Sequence, residues 1–171
     1  MTYFGFLAIF LGIPIALLIT TALRDARRGK TLPAAFGNFA AWGVIALHVV
    51  IAVIWTTPWD NYLVATRVWW YDPALVTGLT LGYVPIEEYT FFVVQPIMTG
   101  LWLALLMRYL PQREATAPRP RLRRGVTLAA GVLWLGSAVL LFSGWRPGTY
   151  LGLELVWALA PIILQLGFGA D

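Results

Sequence analysis

Five apolar stretches of membrane length leave this chain little choice of fold. Residues 3–23, YFGFLAIFLGIPIALLITTAL, run without a charged side chain. About 20 helical residues cross the ~30 Å hydrocarbon core of a bilayer. Inside that core each backbone N–H and C=O must find its partner within the protein, which a helix supplies along its own length. The run predicts a first transmembrane helix, with Pro14 as a candidate kink. It is not read as a signal peptide, because it lacks a basic start and its basic residues come after it.

The other spans follow the same logic. Residues 34–57 predict a second helix, 126–145 a fourth and 149–169 a fifth, with the turn between the last two at the GTY of residues 148–150. Residues 74–110 are apolar apart from two acids. As one helix they would extend about 55 Å, too long for a typical core. Pro85 offers a break. A short segment or re-entrant turn is expected at 74–83, and a third span that starts with Pro85 as its first helical residue, where the missing N–H is harmless. Residues 58–73, PWDNYLVATRVWWYDP, are too polar to span. The spacing of Trp59, Tyr62, Leu63, Thr66 and Trp70 suits an amphipathic helix in the interface, with Asp60 or Asn61 as its cap. The expected fold class is therefore an all-α integral membrane protein. It has about five transmembrane helices, a Pro-broken third span and an interfacial aromatic segment before it. A charged fraction of 12%, about half that of a soluble domain, agrees.

Charge sets the expected topology. Arg24, Arg27, Arg28 and Lys30 lie in the loop 24–33. Arg108, Arg113, Arg119, Arg121, Arg123 and Arg124 fill or flank a Pro/Arg linker at 111–125. The positive-inside rule puts both loops in the cytoplasm, the N-terminus outside and 58–73 on the outer side. The net charge of +4 then reports topology, and no nucleic-acid partner is expected. The chain has no cysteine and one histidine, His48, which excludes thiolate chemistry and argues against a His-rich metal site. His48 reads as a packing residue with a single hydrogen bond. No GxGxxG or GxxxxGK[ST] pattern occurs, so no nucleotide cofactor is expected, and no metal.

The chemistry sits in residues 81–92, LGYVPIEEYTFF. A carboxylate deep in a bilayer costs about 2.5–3.5 kcal/mol on insertion scales, so an adjacent pair needs a reason. Glu87 and Glu88 fall in the first turn of the third span. There the helix dipole favours the anion by about 0.3–1 kcal/mol, while burial in a dry site favours the neutral acid more strongly. A buried acid pair of this kind titrates as a unit and suits proton donation. The plainer alternative is a pair of solvated early-helix acids. Phe91, Gln95, Met98 and Trp102 recur at three- and four-residue steps below the acids. That stripe is either ordinary helix packing or a groove for a long apolar molecule. Asp60, Arg67 and Asp72 precede the acids and are expected to pair and wall one end of the same pocket. These residues alone leave two classes open. One is an acid–base enzyme acting on a lipid-soluble substrate. The other is a proton-coupled carrier or channel, or a structural subunit. A carrier of inverted-repeat type would show paired broken helices, and only the break at Pro85 is evident.

TTPWDNYLVATRVWWYDP, residues 56–73, followed by GYVPIEEYTFF, 82–92, resembles the lycopene cyclase domain of the membrane-bound, flavin-free carotenoid cyclases. These occur as two small subunits in some bacteria and fused in other bacteria, archaea and fungi. The resemblance is strongest over residues 55–95. It implies a non-redox isomerisation with no cofactor, in which lycopene's acyclic end closes to a β-ionone ring. It implies Glu87 and Glu88 as catalytic acid and base, with Asp60, Asn61, Arg67 and Pro85 as supporting residues. Trp59, Trp70, Tyr89, Phe91, Phe92, Gln95, Met98 and Trp102 would line the substrate, with Phe91, Phe92 and nearby Trp or Tyr rings steadying a carbocation through their faces, at about 0.5–2 kcal/mol per desolvated ring. Related activities that the resemblance leaves open are ε-ring formation, cyclisation of C50 carotenoids, and a non-catalytic half-enzyme role. Residues 1–110 are expected to form the cyclase-like domain. Residues 126–171 would carry the fourth span and the start of a second domain, since 149–165 look like the opening helix of that domain in fused members. A second acidic motif is missing after residue 111, where Glu114 and Glu154 stand outside any such pattern. The expectation is a fragment of a fused enzyme, or a chain that works with a second cyclase subunit or as a homodimer, on a carotenoid held in membrane lipid.

Overall fold

The computed structural model describes residues 1–32, 40–110 and 119–168. Among them, five helices are long and apolar enough to cross a membrane, and the chain is a multi-pass membrane protein. It divides into two compact units, Met1–Gln112 and Arg113–Asp171.

The first unit opens with α1 (Tyr3–Leu7), a π-helical turn (Ala8–Gly12) and α2 (Ile13–Arg27), which together make one span, Tyr3–Arg27. The π turn sits just ahead of Pro14. A proline ring clashes with the carbonyl four residues back and offers no N–H. The ladder loosens to match, and the Ile13 N–H reaches back to the carbonyl of Ala8. The expected proline distortion is thus a widened turn. Next come α3 (Ala41–Ala65) and α4 (Ile86–Tyr109). α4 packs against both α2 and α3, around a core of Leu18, Ile45 and Leu101 with Ile97, Met98 and Leu105 against it. Gly100 permits the α3–α4 approach, because a Cβ there would lie 2.6 Å from Ile45 Cγ1. Small residues at helix crossings are the usual device where lipid removes any hydrophobic drive for association. The opposite faces expose large apolar side chains such as Phe10, Leu17, Ile54 and Leu103.

Several boundaries differ from the sequence reading. α3 does not end at residue 57. It runs on through Pro58 to Ala65, so the first half of 58–73 prolongs the second span and forms no separate interfacial helix. Proline inside a membrane helix gives up its bond to the carbonyl four residues back, a loss such helices tolerate, and Asn61, one turn on, bonds the Thr57 carbonyl through its Nδ2 at 2.9 Å. Residues 34–39 of the expected second span lie outside the described residues. The 74–83 stretch forms turns and half of a small hairpin, β1 (Thr80–Leu81) with β2 (Val84–Pro85), antiparallel, Leu81 opposite Val84. Pro85 is therefore the last strand residue and the cap of α4, and the helix proper begins at Ile86.

The second unit is a helical hairpin, α5 (Pro120–Phe142) and α6 (Arg146–Phe168). α5 begins six residues before the expected residue 126, because Pro120 is well suited to a first helical turn. This makes part of the expected linker helical, while 111–118 lie outside the described residues. The turn falls at residues 143–145, with Gly144 at φ 72°, and GTY belongs to α6. Gly148 and Gly152 are buried against Leu140, Leu141 and the Ser137 carbonyl, and Trp134 donates its indole N–H to the Val156 carbonyl at 2.9 Å.

Candidate active site

The end of α3, the loop after it and the start of α4 converge at one end of the first unit. Helix α3 stops with the Val68 N–H on the Leu63 carbonyl and the Arg67 N–H on the Val64 carbonyl. This is a Schellman closure, with Arg67 in the left-handed position at φ 57°. The chain then returns past Tyr71 and Thr77 into the hairpin, whose Leu79 carbonyl accepts the Ile86 N–H at 3.0 Å. The first helix joins at the same place, since the Tyr3 N–H donates to the Leu75 carbonyl at 2.8 Å.

The two adjacent glutamates part company here, because neighbouring helical residues point about 100° apart. Glu87 is buried at 1% exposure. Its Oε1 accepts the Thr77 N–H at 2.6 Å, and its buried Oε2 has no partner. Glu88 is half-buried and accepts the Tyr3 hydroxyl. The Tyr3 ring stacks on Tyr71, with centroids 6.5 Å apart and planes 19° from parallel. Tyr71 in turn donates to Asp60 Oδ2 at 3.0 Å, and Asp60 is 1% exposed. Burial first, and then the facing charges of Glu88 and Asp60, push the Tyr71 phenol well above its ordinary range. It stays a proton-bearing donor.

Asn61 serves a different contact. Its Oδ1 accepts the Tyr83 N–H at 2.8 Å and its Nδ2 donates to the Tyr89 hydroxyl at 2.9 Å. Tyr89 then donates to the Leu81 carbonyl at 2.9 Å. Gly82, at φ 68°, passes so close that a Cβ would collide with Asn61 Oδ1. Asn61 thus clamps the hairpin onto α3 and α4.

The structure does not assemble the expected cluster of Asp60, Arg67 and Asp72. Arg67 is exposed and spent on closing the helix, and Asp72 turns back to accept the Ala74 N–H at 2.9 Å. Among the described residues the ion pair lies elsewhere, between Arg108 and Asp25 at 3.0 Å. Nor is the aromatic set one surface. Phe92 is buried edge-on to Tyr89 at 5.6 Å. Phe91 and Trp59 are half-buried. Trp70 and Trp102 stand out at 79% and 54% exposure. Met98 packs into the core, and Gln95 donates to Thr99 at 3.2 Å. His48 is exposed and bonds the carbonyl of Val44. Tyr3, Tyr71 and Thr77 were not singled out by the sequence. The available signal was topological, since the start of the first span and the start of the third lie on the same side of the bilayer.

No family model matches the chain, and no solved structure does. Among curated proteins, a "Lycopene beta-cyclase" from Halobacterium salinarum is 36% identical over 170 residues, covering 98% of this chain and 65% of the relative. A "Bifunctional lycopene cyclase/phytoene synthase" from Sporisorium reilianum is 40% identical over 131 residues, 74% of this chain and 19% of the relative. One from Podospora anserina is 38% identical over 119 residues, 64% of this chain and 20% of the relative. The chain thus spans just under two thirds of the length of the archaeal relative and about a fifth of the fungal ones. Similarity that runs through both units of a five-helix membrane chain puts its family beyond the acidic motif alone: the chain belongs to the lycopene cyclase domain family.

Proposed function

We propose that the chain is a carotenoid cyclase, or the acid-bearing part of one, that closes the acyclic end of lycopene to a β-ionone ring. The reading rests on one observation above the others. Two carboxylates, Glu87 and Glu88, open a membrane helix beside aromatic rings and are held by different donors, a backbone N–H and a phenol. The three relatives named above carry lycopene cyclase or lycopene beta-cyclase in their names.

In this scheme Glu88 gives its proton to the terminal double bond of the substrate. The electron pair of that bond forms the new C–H bond and leaves a tertiary cation. The neighbouring double bond attacks the cation and closes a six-membered ring. Loss of a ring proton then restores a double bond, so atoms and electrons balance without a redox partner. Glu87, with one oxygen anchored and the other free, suits the base. Tyr89, Phe91, Phe92 and Trp59 offer ring faces to the cation, and a dry wall keeps water from capturing it. Asp60, Asn61, Arg67 and Pro85 act on the frame of the site rather than on the substrate.

Residues 1–110 form the cyclase domain in this reading, and 126–171 open a second part that works with a companion domain, subunit or second copy. The N-terminus lies on the outer side of the cell membrane, and the basic segments 24–33 and 111–125 face the cytoplasm. The test is pigment analysis in a lycopene-accumulating bacterial host, with the chain alone and with a companion domain. β-Ring products in either culture support the reading. Lycopene unchanged in both, with the protein inserted, contradicts it, and ε-ring or C50 products would move the substrate within the family.

A further inference from the structure

The two glutamates adjacent in sequence are the obvious coupled pair, but the geometry joins different partners. We propose that the titrating partner of Glu88 is Asp60 on α3, linked to it through the stacked phenols of Tyr3 and Tyr71, and that Glu87 stands outside this unit. The proposal deepens the cyclase reading and rests on it for its catalytic meaning.

Three contacts carry it. Tyr3 donates to Glu88, Tyr71 donates to Asp60 at 3.0 Å, and the two rings lie 6.5 Å apart and nearly parallel. Each phenol satisfies one acid, and the stack holds the two phenol–acid units side by side. Four chain segments supply the groups that face one another: Tyr3 from α1, Asp60 from α3, Tyr71 from the following loop and Glu88 from α4, with Glu87 the weakest of the charges acting on Tyr3. Glu87 looks the other way, to the Thr77 N–H. A second negative charge inside this cluster would face the first across a medium that screens poorly, so protonation of Glu88 and of Asp60 is linked. Tyr3 and Tyr71 are then positioning residues. Tyr3 holds the carboxyl of Glu88 and Tyr71 holds that of Asp60.

The titration itself needs no substrate. The full chain in liposomes is titrated by infrared spectroscopy at the carboxylic C=O band, with lycopene conversion followed in parallel. Asp60→Asn is expected to move the Glu88 midpoint by about one pH unit or more, and Glu87→Gln to move it by much less. Tyr3→Phe should shift the frequency of the Glu88 band through loss of its hydrogen bond. Asp60→Ser removes the same charge and repeats the comparison should the Asn variant fail to insert, and Tyr71→Phe, which keeps the ring and its stacking but leaves the Asp60 charge, should move the midpoint by a smaller amount. A Glu88 midpoint that follows Glu87→Gln and ignores Asp60→Asn and Tyr71→Phe would overturn the proposal. If the wild type shows the linked titration but never cyclises lycopene, the proton-sharing unit stands and the carotenoid reading falls.

Discussion

Tyr3, the first helical residue of the chain, hydrogen-bonds the carboxylate of Glu88, 85 positions away. The contact brings the first span to the acid that opens α4. Glu88→Gln keeps size and polarity but cannot give up a carboxylic proton. It should lower cyclisation by about two to four orders of magnitude, the usual weight of a general acid, with membrane insertion unchanged. Tyr3→Phe should lower it less. Chromatography of pigments against immunoblotted membrane protein separates the two effects.

The hairpin clamp predicts a loss of stability rather than of chemistry. Gly82→Ala places a Cβ on Asn61 Oδ1 and asks alanine to hold φ 68°. The backbone part alone costs about 1–2 kcal/mol. Asn61→Leu should weaken the same docking by removing its two hydrogen bonds to Tyr89 and the Tyr83 N–H. Both should unfold at lower temperature in detergent, and hydrogen exchange should quicken at the Tyr83 N–H before the core of α4 opens.

Arg67 offers a contrasting case. Its left-handed backbone and exposed side chain mark a helix stop, so Arg67→Gly should leave cyclisation intact. Stability should rise by a few tenths to about 1 kcal/mol, since glycine removes the left-handed strain but costs some chain entropy. A large loss of activity in this variant would return Arg67 to the site.

Much of this was legible in the sequence, for physical reasons that differ by residue. Five apolar runs became five helices because lipid leaves the backbone few other options. Glu87 and Glu88 stand out in the sequence because acids are conspicuous in such runs. Helix ends were harder. Pro58 reads as a stop by soluble-protein rules, yet α3 passes through it to Ala65. Pro85 reads as a first helical residue, yet it pairs in a strand first. Tyr3 and Tyr71 were invisible because nothing local links them to an acid. Their partners come from packing between spans, which periodicity does not encode.

Topology gives an independent check. The chain has no native cysteine, so single introduced cysteines report cleanly. Trp70→Cys, at a position 79% exposed in the loop after α3, should react with a membrane-impermeant maleimide added to intact cells. Arg28→Cys should react only after the cells are opened. The reverse pattern would invert the bilayer orientation and move the acid cluster to the cytoplasmic side.

The central claim is that ring closure begins with a proton delivered by the protein, and isotope labelling tests it most directly. Membranes holding the chain, with a companion domain where one is needed, are supplied with lycopene in heavy water. The mass of the cyclised product is then measured. The account predicts one deuteron retained per ring formed, at the carbon protonated first, and no labelled product from Glu88→Gln. Cyclised product without deuterium, or full labelling and turnover in Glu88→Gln, would contradict it.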